Sequence, residues 1–316
     1  MFHVNPEKCS FPNAVALQMP LFFLVSGNFF KACEPKTFFI KKINNILVPF
    51  LFWLIVSDIW HIMCTLWATH DISLDNITII QFAKHPLSRI ISFNIVLWFL
   101  ICLFITNMIF YAVYTIFSDN KYRSFAVFFL ASIGYFLFLY KITLPLWIDT
   151  SLVALPFFFL GYYCRNLSYL KPEFSLKKSL FLGIGLILVS YVIYFASGRS
   201  CINDMRTNSF YGSPVMGYLN SVMFVMGGLL LCKVINWLPI ISYFGRYSII
   251  VLCIHFPLIL FVPNFIERRT GYEVNDWELA AIILLICWFA IPVCKRFLPY
   301  FVAQKPLIKM PSEKAC

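Results

Sequence analysis

Few ionisable side chains interrupt the apolar runs of this chain, so each one is a candidate for chemistry. An Asp, Lys or Arg at the centre of a membrane helix costs roughly 2.5–3.5 kcal/mol on insertion scales, so such a residue needs a partner or a task. Asp58 and His61 stand three residues apart, on one face of a helix and within reach of a hydrogen bond or ion pair. Asp149 follows Trp147-Ile148 at the edge of an apolar run. Arg246 lies in Phe244-Gly245-Arg246-Tyr247-Ser248 at the start of another run, and His255 sits further along it. His3 stands near the N-terminus, in the short segment 1–13. A histidine takes a proton from a hydroxyl near pH 7, which suits acid–base work. The plain alternative for each residue is a hydrogen bond between helices.

A second kind of signal is a loss of side chains. Met19-Pro20-Leu21-Phe22-Phe23-Leu24-Val25-Ser26-Gly27 enters through a proline, carries a Phe pair and ends in a small Ser26-Gly27 step. Such a step lets another backbone, or a narrow ligand, come close. A basic turn with Lys31, Lys36, Lys41 and Lys42 follows, and the apolar run resumes at Ile46.

The elements that must carry these residues are membrane helices. The 316-residue chain is 61% hydrophobic and 12% charged, with 36 Phe and a mean hydropathy of +0.81. Soluble domains carry about twice that charge. Apolar runs near helix-spanning length predict an all-α polytopic bundle without a separate soluble domain. Nine spans are expected, at 14–31, 46–66, 91–117, 124–140, 150–164, 178–196, 213–235, 240–263 and 278–294. Alternating them with the 31–42 turn inside puts roughly two thirds of the Lys and Arg on the inner side, as the positive-inside rule asks.

That pattern accounts for the net charge of +11. The basic residues sit in short loops, so nucleic acid is not an expected partner. The 11 Cys form no Cys-x-x-Cys pair and lie mostly in apolar runs (Cys64, Cys102, Cys253, Cys287). Neither a metal site nor a disulfide framework is expected. No cleavable signal peptide is expected either. The outer segments 67–90, 197–212 and 264–278 are polar and aromatic, either solvated connectors or places that touch a polar substrate.

Taken in order, the motifs resemble the integral-membrane acyltransferase family 3, which includes bacterial O-acetyltransferases of cell-surface polysaccharides. Residues 19–27 resemble its MPLFFxxSG signature. Phe38-Phe39-Ile40-Lys41-Lys42 with Ile46-Leu47-Val48-Pro49-Phe50 looks like its basic helix end and the Pro-broken span after it. Leu97-Trp98-Phe99-Leu100 with Leu103-Phe104 is similar to its LWFLxxLF span. Asp149 to Tyr162 looks like its D-x-x-L-x-A-L-P-F-F-x-x-G segment, and Phe244 to Ser248 with His255 looks like its late G-x-x-S-…-H span. The resemblance runs from His3 to about residue 296, a single acyltransferase domain over 1–316 with a short basic cytoplasmic tail at 297–316.

The resemblance implies one more membrane helix than the nine read here, with the first truncated, in a bacterial cytoplasmic (inner) membrane. It implies acetyl-CoA, or another acyl-CoA, as donor, a glycan or lipid-linked sugar as acceptor, membrane lipids as surroundings and no metal. His3 would be the general base. Its basic partner in the family has no counterpart here, and the family's Arg-x-x-Arg reads Lys42-Ile43-Asn44-Asn45. Lys41, Lys42 and Arg246 would meet the donor phosphates, and Ser26 and Gly27 would leave room for the pantetheine arm. Asp58, His61 and Asp149 would orient His3 or the acceptor. The competing readings are a catalytically inactive relative and a small-molecule or lipid-linked sugar transporter. No inverted repeat supports the transporter.

Overall fold

The computed structural model describes residues 14–69, 77–84, 89, 91, 93–165, 174–198, 202–235 and 238–310. In chain order the elements are α1 (Ala14–Asn28), α2 (Pro35–Lys42), a π-helical turn (Ile43–Leu47), α3 (Val48–Thr69) and α4 (Thr78–Lys84). A 3-10 turn (Ile95–Leu97) leads into α5 (Trp98–Ile116), then α6 (Asn120–Leu139) follows. A second 3-10 turn (Pro145–Trp147) leads into α7 (Ile148–Cys164), followed by α8 (Leu176–Ala196). Strands β1 (Ile202–Asp204) and β2 (Ser209–Tyr211) precede α9 (Pro214–Val234), α10 (Pro239–Arg246), α11 (Ser248–Thr270) and α12 (Asp276–Phe297). Among the described residues, eight helices are long and apolar enough to cross a membrane, and α1 is a shorter apolar helix. The all-α polytopic bundle is the one the composition predicts, with α1 in the place of the first of the nine spans.

Three segments differ from expectation. The basic turn is helical: α2 continues through the π turn into α3 without a break. Pro35 sits at the start of α2, where its missing N–H costs nothing. Thr37 and Phe38 are buried while Lys36 is exposed, so α2 packs part of its surface although its lysines make a hydropathy window read it as polar chain. The run 240–263 is broken at Tyr247, whose backbone (φ −112°, ψ 28°) leaves the helical region. The membrane helix therefore starts at Ser248 and ends at Gly271, which takes the left-handed conformation (φ 69°) that glycine adopts freely. The outer segment 197–212 contains an antiparallel hairpin pairing Ile202 with Tyr211 and Asp204 with Ser209. Asp204 closes its turn by accepting from the Arg206 N–H and the Thr207 hydroxyl.

The described residues form two compact units, one from Cys33–Phe104 with residues 240–310, the other from residues 14–32 with Ile105–Pro239. In the first, α12 opens with a capping box, Asn275 accepting from the N–H groups of Trp277 and Glu278. It packs on α11 around Val262, Leu279, Ile283 and Cys287. Buried Asn94 ties α3 to α11 by donating to Ser57 Oγ (2.9 Å) and the Cys253 carbonyl (2.8 Å).

In the second unit, small residues set the helix spacing. Lipid offers no hydrophobic drive between helices, so close backbone approach and polar contacts must supply the packing. A Cβ on Gly27 would fall on the Phe158 carbonyl, and one on Gly161 would fall on the Leu24 carbonyl. Two of the signature segments thus lock α1 and α7 together. Helices α8 and α9 meet at Gly183 and Gly227 and through Ser190 Oγ, 2.6 Å from Asn220 Oδ1, with both residues fully buried. Cys33 is disulfide-bonded, whereas the other described cysteines are not.

Candidate functional site

Both candidate carboxyl groups are buried, and they are held differently. Asp58, 2% exposed, accepts from the first backbone N–H groups of α4, Oδ1 from Thr78 (3.2 Å) and Oδ2 from Ile79 (2.8 Å). It caps a helix in the segment between α3 and α5. His61 does not hydrogen-bond to it. The imidazole lies against Phe93, with ring centroids 4.7 Å apart.

Asp149 is fully buried in the first turn of α7, where the helix dipole favours negative charge. Its Oδ2 accepts from Asn208 Nδ2 at 3.2 Å, and the same amide donates to the Gly134 carbonyl. Asn208 comes from the hairpin, so this outer segment is packed down rather than solvated. Met205, Asn208 and Phe210 are all buried. Two further observations mark the spot. Leu146 and Trp147, just before Asp149, are successive non-glycine residues with positive φ (52° and 57°), a conformation that costs energy and gathers at functional sites. Thr150 Oγ1 and Asn208 Oδ1 are buried without a hydrogen-bond partner among the described residues.

Beyond His61, a cavity of about 300 Å³ opens between the later turns of α3 and α11. Its walls include Thr65, Trp67, Phe93, Phe261, Asn264 and Arg268. The Arg268 guanidinium sits 5.0 Å from the Trp67 ring centroid. Aromatic faces beside a hydroxyl, an amide and a cation suit a ligand with one apolar face and polar edges. The charge pattern puts this end of both helices on the outer side.

The basic candidates lie at the other end of the same unit. Lys41 and Lys42 form the last turn of α2, with the Lys42 ammonium 5.4 Å from the Phe38 ring centroid. The π turn that follows holds Asn44, 2% exposed. Arg246 ends α10 and is exposed. Next to it, the Tyr247 hydroxyl accepts from Lys295 Nζ at 2.6 Å. That hydrogen bond, with the charges of Lys295 and Arg246, holds the Tyr247 phenol below its ordinary pKa. Residue by residue the sequence points to Arg246, but not to Lys295, which there only ends an apolar run. Asn44 and Asn208 also escape a sequence reading, because both act through partners remote in the chain.

The remaining candidates are placed as follows. Gly27 is buried against α7, which occupies the room its missing side chain leaves, and Ser26 is half-buried beside it. His255 has Nδ1 2.8 Å from the Val251 carbonyl, one turn back on its own helix. His3 lies outside the described residues. Among the described residues no group of three His, Cys, Asp or Glu is placed to hold a metal ion.

The model of acyltransferase family 3, an acyltransferase domain, matches residues 5–295. That span holds every candidate above except His3, which just precedes it. No curated protein and no solved structure matches the chain.

Proposed function

The chain belongs to acyltransferase family 3, a family of multi-pass membrane acyltransferases, and on that premise we propose that it moves an acetyl group from cytoplasmic acetyl-CoA to a hydroxyl of a cell-surface or lipid-linked glycan. The observation that carries this reading is the family match from residue 5 to residue 295, which spans α1 and nearly all of α12. The setting is a bacterial inner membrane, with the donor met inside and the acceptor outside.

The step needs no redox partner. The acceptor oxygen attacks the thioester carbonyl carbon while a base takes its proton. The carbon–sulfur bond then breaks, and the CoA thiolate leaves and takes up a proton. In our reading His3 is that base, and a positioned base contributes roughly 10²–10⁴-fold in rate. Lys41, Lys42 and Arg246 meet the donor phosphates. The aromatic cavity beside His61 receives the acceptor, which its Trp67, Asn264 and Arg268 walls support. Asp149 orients reacting groups, while Asp58 serves the fold by capping α4.

Label transfer from radioactive acetyl-CoA to membrane glycan tests the base. Replacing His3 with Ala is expected to cut transfer by about 100-fold or more with expression unchanged. Full activity in that variant rejects the assignment. No transfer by the parent chain points instead to an inactive relative, which the Lys42-Ile43-Asn44-Asn45 departure would explain.

A further inference from the structure

The described residues after α12, 298–310, make specific contacts. The chain turns back on itself at once: the N–H groups of Gln304 and Lys305 both donate to the Pro299 carbonyl. Phe301 stacks on Phe52 of α3, with centroids 4.1 Å apart and the rings 14° from parallel. Val302 is fully buried, and Ala303 takes a left-handed backbone (φ 56°). The segment then reaches the π turn. There the Asn44 side chain grips the backbone of Ile308 twice, Nδ2 donating to its carbonyl (2.9 Å) and Oδ1 accepting from its N–H (2.8 Å).

This clamp joins two basic stretches that are 264 residues apart in the chain. Asn44 lies two positions after Lys42, and Lys309 directly follows Ile308. Lys305 and Lys309 are exposed, Lys41 and Lys42 partly so. Neither 36–47 nor 298–310 contains an Asp or Glu to neutralise them. Inner-side lysines alone would satisfy topology, but topology asks only for charge near a helix end. It does not call for a buried asparagine holding the tail's backbone in one register, or for a π turn, which recurs at functional sites.

We propose that the segment 298–310 completes a phosphate-binding surface, with Lys305 and Lys309 acting beside Lys41 and Lys42 on the phosphates of the CoA donor. This rests on the donor reading above. The chemistry fits a ligand with phosphates at separate points, since lysines act as point charges rather than forks. Asn44 is a positioning residue that holds the segment in place.

The test is binding of CoA and of dephospho-CoA, which lacks the 3′-phosphate, to the full chain purified in uncharged detergent. The K305A/K309A variant changes only exposed side chains and should fold normally. It is expected to weaken CoA binding about tenfold, and to weaken dephospho-CoA binding less. Asn44→Ala, with all four lysines intact, should weaken CoA by a similar factor, a loss that charge removal does not explain. Equal CoA affinity in wild type and K305A/K309A overturns the proposal and leaves the donor reading standing. No CoA binding by wild type overturns both. Anionic lipid headgroups offer the same chemistry, so native mass spectrometry should also count retained phosphatidylglycerol. Loss of that lipid with CoA affinity unchanged overturns the proposal in favour of a lipid site.

Discussion

Asp58 and Asp149 look alike in the sequence, since each is a lone acid in or beside an apolar run. Their surroundings separate them. Asp58 has each carboxyl oxygen on a backbone N–H of α4, so its burial is accounted for by helix capping. Asp149 meets a side-chain amide delivered by a hairpin, beside two left-handed residues and two buried oxygens without partners among the described residues. A buried acid matched to backbone donors is a structural part. One set among strain and unmet polar groups marks a place where stability has been given up for some other end.

Stability and activity should therefore part company at these two positions. The largest loss of stability is expected from Asp58→Ala, which strands two backbone donors and should cost about 3 kcal/mol. Thermal unfolding in detergent checks this, and acyl transfer per folded molecule should hold. A loss of transfer without a loss of stability would erase the distinction. Asp149→Asn keeps the shape and should leave the melting temperature nearly unchanged while cutting transfer about 100-fold, equivalent to about 2.7 kcal/mol. Asn208→Ala removes the amide that holds the hairpin down, and should cost about 1 kcal/mol in unfolding measurements. Smallest is Arg268→Ala at the outer cavity. It should raise the acceptor KM about threefold with kcat unchanged, since a cation over an aromatic ring near solvent is worth about 0.5–1 kcal/mol.

The bundle was legible because bilayer physics leaves helices almost no alternative. Most span limits fall within a few residues of the hydropathy pattern, as at 178–196 against Leu176–Ala196. The misses share a cause. A hydropathy window averages over many residues, so it merged α10 with α11 across the single break at Tyr247 and took the lysine-rich α2 for a loop. The site was less legible. Residue type singled out Asp58, His61, Asp149, Lys41, Lys42 and Arg246, but their partners are set by distant contacts. Asn208 reaches Asp149 from 59 residues away, and Asn44 reaches Ile308 from 264. No local period encodes such pairs. The Ser26-Gly27 step was readable as a close approach, and only the fold names the Phe158 backbone as what approaches.

The most direct test of the account is to supply labelled acetyl-CoA to the cytoplasmic face alone of sealed membrane vesicles carrying this chain. The account predicts label on membrane glycan, above vesicles lacking the protein, and its loss in the His3→Ala variant. Glycan that stays unlabelled, with the protein folded and the donor bound, would contradict it.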